Sequence, residues 1–258
     1  MPPGAPDASA QVVITAKDVS VRFGSRTIFQ NVSFEVRRGE VFVVLGGSGC
    51  GKSTLLRLLV GLVPAAAGEA RVLGVAIDDP SREAQEKIRR NTGVMFQAGA
   101  MFGSFSLLRN VMLPLVEFTR LPADAAEWIA RTKLGLVGLA DFADFMPSEI
   151  SGGMLKRAAI ARAMALDPEI LFLDEPSAGL DPITSAGLDA LITSLSRDLG
   201  ITFVVITHEL QSILAIADRV IMLDREAKGM IAEGDPRKLR DEATHPTVRA
   251  FFRREVMA

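Results

Sequence analysis

The sequence predicts an α/β fold built on a parallel sheet, with a helical block inserted into it. Three observations carry that prediction. Continuous β-rich apolar runs, Val41–Leu45, Ile170–Leu173 and Ile201–Ile206, read as strands buried on both faces. Helical stretches alternate with them, as they do where crossovers cover both sides of a parallel sheet. Residues 107–165 then turn mostly helical, with Ala125–Leu139 and a helix from near Gly152 to a stop at Asp167-Pro168.

In chain order, Val12–Ile14 and Val19–Phe23 read as short strands, with Gly24 and Ser25 as a turn. Val32–Val36 alternates apolar and polar residues, the mark of a half-buried strand. Arg37–Glu40 turns the chain into the Val41 run, which ends in the glycine-rich loop Gly46–Gly51 and a Leu-rich helix from Lys52 to Leu62. Val94–Phe96 is a further strand. Asp189–Leu199 and Leu210–Ala217 read as helices and Val220–Leu223 as a strand. No internal repeat interrupts this order.

The 258 residues are 48% apolar and 23% charged, ample for a large core. A net charge of −2 lacks the basic surplus of a dedicated nucleic-acid binder. Cys50 is the single cysteine, so no internal disulfide forms. Residues 1–10, rich in Pro and Ala, read as a disordered tail without the features of a signal peptide. The longest apolar runs are too short to span a bilayer, so a membrane role requires a partner.

Gly46-Gly47-Ser48-Gly49-Cys50-Gly51-Lys52-Ser53 fits the P-loop pattern G-x-x-x-x-G-K-[ST], with a strand before it and a helix after it. Glycines let the backbone wrap phosphates and aim N–H groups at them. Lys52 brings a point charge to the β and γ phosphates of a nucleotide, and Ser53 offers its hydroxyl to Mg²⁺. The helix that follows adds its positive end. Ile170-Leu171-Phe172-Leu173-Asp174-Glu175 is a buried strand ending in two carboxylates. Asp174 suits the Mg²⁺ shell and Glu175 a general base for the attacking water. Taken alone, that element reads equally well as a strand ending in an acidic turn. Ile150-Ser151-Gly152-Gly153-Met154 offers N–H groups and a hydroxyl to an anion, or simply an N-cap at Ser151.

This last segment resembles the signature of ABC ATPase subunits, usually Leu-Ser-Gly-Gly-Gln. The remaining motifs follow in the order of that family. Gln97 after Val94–Phe96 is similar to the Q-loop, Ser177–Asp181 to the D-loop, and Thr207-His208 to the switch histidine. The resemblance covers roughly residues 12–233. It implies a P-loop NTPase (RecA-like) core with an N-terminal antiparallel β subdomain and a helical subdomain inserted at about 98–165. The ATPase domain then spans 11–240, and 241–258 form a C-terminal extension.

It also implies a head-to-tail pair of two copies, with ATP between the P-loop of one and the signature of the other. Lys52, Glu175 and His208 would be the catalytic set. Phe23, Gly46–Thr54, Gln97, Ser151, Gly152 and Gly153 would bind ATP, and Ser53, Gln97 and Asp174 the Mg²⁺. Phe23 stands where an aromatic stacks on adenine, and reads otherwise as a core aromatic. Within the family, the stretches Phe96–Phe102, Met146–Glu149 and Ser151–Arg157, the last with Met154 in place of the usual Gln, resemble the ATPases of MCE-linked lipid transporters, the Mla type. The partners so implied are an integral membrane permease, an MCE-domain protein and, in some systems, a STAS-domain protein. The implied location is the cytoplasmic face of the inner membrane, held there by the permease. A small-solute importer is the alternative. A soluble ABC ATPase acting on ribosomes or DNA would carry two cassettes or a coiled coil, and this chain shows one cassette and no heptad run.

Met101, Phe102, Phe105, Leu107 and Leu108 form an apolar cluster open to two readings, a permease-docking surface or the interior of the helical block. Trp128 reads as a packing residue, His245 as solvated, and Cys50 as a small residue of the loop.

Overall fold

The computed structural model describes residues 10–254. The tail expected over residues 1–10 lies outside the described residues except for Ala10. Two sheets organise the chain. The first is antiparallel, in the order β2-β1-β4-β5, from β1 (Val12–Phe23), β2 (Arg26–Arg37), β4 (Ala67–Val72) and β5 (Val75–Ala76). The second has six strands in the order β10-β9-β3-β8-β7-β6. Here β3 (Val41–Gly46), β6 (Thr92–Met95), β7 (Ile170–Asp174), β8 (Thr202–Ile206) and β9 (Arg219–Asp224) run parallel, and β10 (Gly229–Gly234) closes one edge antiparallel to β9.

Side chains alternate across a strand, and this divides the interior into two cores. Val41, Val43, Leu45, Leu171, Leu173, Phe203 and Val205 face one core, shared with the helices α3 (Leu107–Phe118), α4 (Ala123–Leu136), α5 (Gly152–Ala163), α6 (Pro182–Leu199) and α7 (Leu210–Ile216). Phe42, Val44, Ile170, Phe172, Val204 and Ile206 face the other, against the antiparallel sheet and α1 (Lys52–Leu59). Every residue of β3, β7 and β8 is buried, which explains their unbroken apolar character.

Several expectations are corrected. The two N-terminal strands are one, β1, bent by bulges around Asp18, whose φ is +50°. The sheet is mixed, because β10 adds an antiparallel edge. The helix expected from Asp189 begins at Pro182, capped by the Asp181 carboxylate, which accepts from the N–H groups of Ile183 and Thr184 at 3.0 Å. Trp128 is 71% exposed. The buried positions of α4 are Ala126, Ala130, Lys133 and Leu134, and Trp128 falls on the far side of that helix. The apolar cluster after Gln97 is split: Leu107 and Leu108 are core, whereas Phe102 is exposed and lies tilted against Phe105, with centroids 5.6 Å apart. Buried Asn110 fixes that loop, accepting from the Phe102 N–H at 2.8 Å and donating to the Phe105 and Ser106 carbonyls at 3.1 and 3.0 Å.

Two contacts set the depth of the site. Gly46 has φ +148°, and a Cβ there would lie 2.2 Å from the Leu223 carbonyl oxygen, so β3 can turn into the loop only at glycine. A Cβ at Gly93 of β6 would meet the Ala163 carbonyl oxygen at 2.0 Å, so the end of α5 rests directly on strand backbone.

Between α6 and α7, burial pushes the Asp189 carboxyl up to about 6; neighbouring Ser212 pulls it down and Glu209 adds to the rise. The folded chain therefore holds this proton more tightly than the unfolded chain does. The resulting stabilisation is complete below about pH 4 and is lost as pH rises through 6. Asp189→Asn is expected to raise the melting temperature at pH 7.5 by a few degrees, reflecting at most about 3 kcal/mol. The gain should shrink to nothing towards pH 4. An equal gain at both pH values would trace the effect to packing instead.

Candidate active site

The site forms where the C-terminal ends of β3, β7 and β8 meet the start of α1. Gly49 and Gly51 of the loop after β3 take φ values of +75° and +105°. A Cβ at Gly51 would press on Phe29 and Ile28 at 2.9 and 3.0 Å. Gly51 is also the N-cap of α1 and offers no capping side chain, so the first N–H groups of that helix are left for an anion. Gly47, Ser48 and Gly49 are exposed, while Cys50 is buried beneath them. Lys52 Nζ donates to the Gly46 and Gly47 carbonyls at 2.8 and 3.0 Å, which holds its charge within the loop. Thr54 is half-buried on the first turn of α1.

Pairing of β7 with β8 supplies the rest. Asp174 ends β7 opposite Ile206, and the Glu175 N–H continues the ladder to the Ile206 carbonyl at 2.8 Å. That places Glu175 level with Thr207, one residue before His208, and its Oε1 lies 2.8 Å from His208 Nδ1. The other carboxylate oxygen, Oε2, is buried and has no hydrogen-bond partner. Glu175 adopts φ +49°, a strained value for a non-glycine residue. Ser53 Oγ donates to Asp174 Oδ1 at 3.1 Å. Burial pushes the Asp174 carboxyl up, Ser53 draws it down, and the adjacent Glu175 charge raises it again.

The structure thus joins Lys52, Ser53, Asp174, Glu175 and His208 around one loop. Phe23 stands at the end of β1 with 52% of its surface exposed, which removes the core-aromatic reading. Gln97 is exposed just beyond β6, and its carbonyl accepts from Lys156 of α5. Ser151, Gly152 and Gly153 begin α5 separately from the P-loop group. Ser151 caps its own helix, accepting from the Met154 N–H at 3.3 Å, while Gly152 and Gly153 lie against Leu180 and Thr184. The sequence gives no role to the side chains of Lys156, Arg157 and Arg162, whose charge alone does not show that each ends on a backbone carbonyl. His245 is exposed, as expected.

A P-loop between a buried parallel strand and a helix, facing an Asp-Glu pair at the end of the neighbouring strand's partner, defines a nucleoside triphosphate hydrolase. The sequence profile of the ABC transporter family matches residues 29–178. The phospholipid transport ATP-binding protein MlaF of Escherichia coli K12 is 40% identical over 246 residues, covering 95% of this chain and 90% of the relative. MlaF of Haemophilus influenzae is 38% identical, covering 89% and 86%. A probable ribonucleotide transport ATP-binding protein, mkl, of Mycobacterium leprae is 39% identical, covering 93% and 69%. Among solved structures, a dimeric ATP-binding cassette in a post-hydrolysis state with ADP and Pi superposes with a TM-score of 0.75. It is 30% identical, and the match covers 86% of this chain and 98% of that one. A cassette of the cbiONQ transporter complex from Clostridium perfringens superposes with a TM-score of 0.82 at 28% identity, covering 90% and 91%. The chain belongs to the ABC transporter family, and it is the ATP-hydrolysing cassette of that family.

Proposed function

We propose that this cassette hydrolyses ATP to drive phospholipid movement across the cell envelope through a separate membrane permease. The observation that carries the reading is the 40% identity to MlaF over nearly the whole of both chains. Met154 agrees with it: at the position where Gln is usual in the signature, a partly buried Met packs on the main core. Among the described residues no helix is long and apolar enough to cross a membrane; in this reading the permease is a separate integral membrane protein that holds the cassette at the cytoplasmic face of the inner membrane. An MCE-domain protein is the further partner, and a STAS-domain protein an optional one. The identity to mkl is almost as high, which keeps a ribonucleotide or other small solute as the second reading.

In the proposed mechanism the N–H groups of the loop and of α1 bind the β and γ phosphates, and Lys52 neutralises their charge. Ser53 and Asp174 present only oxygen atoms, a donor set that fits Mg²⁺, with Gln97 completing it. When bound, that ion neutralises charge on the transferring phosphoryl group. Glu175 orients the attacking water and accepts its proton. His208 holds Oε1 and, 62% exposed, also reaches towards the γ-phosphate. A second copy closes the site with its Ser151, Gly152 and Gly153, and Phe23 stacks on adenine.

The test is purification of the complex from native membranes, followed by mass spectrometry of its proteins and extracted small molecules. An MCE-domain protein with phospholipid is expected. A solute-binding protein with a polar metabolite would overturn the lipid reading.

A further inference from the structure

Three basic side chains of α5 end on backbone carbonyls of segments outside that helix. Lys156 Nζ donates to the Gln97 carbonyl. Arg162 donates to the Gly99 and Ala100 carbonyls at 2.9 and 2.7 Å. Arg157 donates to the Val137 carbonyl, at the end of α4, and to the Gly187 carbonyl of α6, at 3.3 and 3.2 Å. The helix that begins at Ser151 is therefore fastened to the Gln97 loop, to the helical block and to the helix after Asp181.

Lys156 is the unusual member. It is 8% exposed, and its ammonium ends on a neutral carbonyl rather than on a carboxylate. A buried cation is costly without a charged partner. Burial draws its pKa down, opposed by the charges of Asp174 and Glu175, so it also feels the catalytic carboxylates. The loop it grips does not set its own shape well. Gly99 and Ala100 are consecutive residues with φ +73° and +50°, and Ala is strained there. The contacts from α5 fix this segment from outside.

We infer that Lys156 is a positioning residue that links the two ATP sites of a dimer. It ties Gln97, which serves the nucleotide of its own cassette, to Ser151–Gly153, which close on the nucleotide of the partner cassette. Displacement of one is passed to the other through the Lys156 ammonium–carbonyl contact at Gln97 itself, with Arg162 holding the following Gly99 and Ala100 to the same helix, so the two sites fill cooperatively. The inference rests on the head-to-tail dimer proposed above.

The test uses the full chain. ATP hydrolysis is followed against ATP concentration at saturating Mg²⁺, MgADP binding by calorimetry, and folding by thermal melting. In Lys156→Met, kcat is expected to fall about 10- to 100-fold, the scale of a small misplacement transmitted to a catalytic group. The Hill coefficient should fall towards about 1, while MgADP affinity stays within about twofold. Lys156→Arg keeps the charge and the donor and should restore most of the rate and the cooperativity. A purely structural lysine would not split turnover from MgADP binding in this way. Wild-type cooperativity in Lys156→Met, equal losses in the Met and Arg variants, a parallel loss of MgADP binding, or a non-cooperative wild type would each overturn the inference. Should Lys156→Met melt below the assay temperature, Lys156→Gln, a shorter neutral donor, is read by the same criteria. Glu175→Gln that stays monomeric with ATP and Mg²⁺ would sink the dimer itself. A dimer whose ATP dependence ignores Lys156→Met would sink only the linkage.

Discussion

Lys52→Ala is expected to lower ATP hydrolysis by about 10²–10³-fold, the usual cost of removing one preorganised charge from a transition state. The ammonium does two things at once. It offers its charge to the β and γ phosphates, and its hydrogen bonds to the Gly46 and Gly47 carbonyls hold two acceptors that would otherwise face an incoming anion. With alanine there, those carbonyls repel phosphate, so ATP affinity should fall with turnover. Lys52 is partly exposed and lies outside both apolar cores, so the melting temperature should change little. Steady-state hydrolysis and nucleotide-binding calorimetry on the same preparation separate the two effects. Hydrolysis at the wild-type rate would show that the loop is not the phosphate site.

Glu175→Gln should behave in the opposite way towards binding. Glutamine keeps the size of the side chain and a hydrogen bond with His208, but it cannot take a proton from water. Hydrolysis should fall about 10²–10⁴-fold, the range for loss of a general base. ATP binding should persist, and with ATP and Mg²⁺ the chain should elute from gel filtration as a lasting dimer. Unslowed hydrolysis would move the base to another group. His208→Ala makes a useful companion, since it frees Oε1 while leaving the proton acceptor in place.

The parts legible in the sequence are those where chemistry or full burial leaves little choice of residue. β3, β7 and β8 need apolar side chains on both faces, and the loop after β3 needs glycine at Gly46 and Gly51, so these elements stand out. The illegible parts lie at edges and on surfaces. In β4, only Ala70 and Val72 are buried, so the alternation is too short to stand out. The helix over Arg82–Asn91 buries little besides Ala84 and Ile88. The C-terminal helix over Pro246–Arg253 fully buries only Val248 and Phe252, one turn apart. The start of α6 could have been found, since Asp181-Pro182 is an N-cap followed by proline. Within the site, the P-loop, the Asp-Glu pair and His208 were legible by type and order. The grip of Lys156 and Arg162 on the Gln97 loop was not, because a bond to a carbonyl leaves no trace in the partner's identity.

The contact between Gly93 and Ala163 turns α5 into a lever. Strand backbone lies against its far end with no side chain between them, so that end is the fulcrum. The twelve residues of α5 put the Ser151 tip about 18 Å from it. A tilt of about 10° would carry the tip about 3 Å, roughly the length of a hydrogen bond, while Lys156, near mid-shaft, would travel about half as far. The shaft amplifies in one direction and gears down in the other. A pull on the Gln97 loop is magnified at the tip, whereas an approach of the tip to a neighbouring nucleotide reaches that loop as a smaller and stiffer stroke.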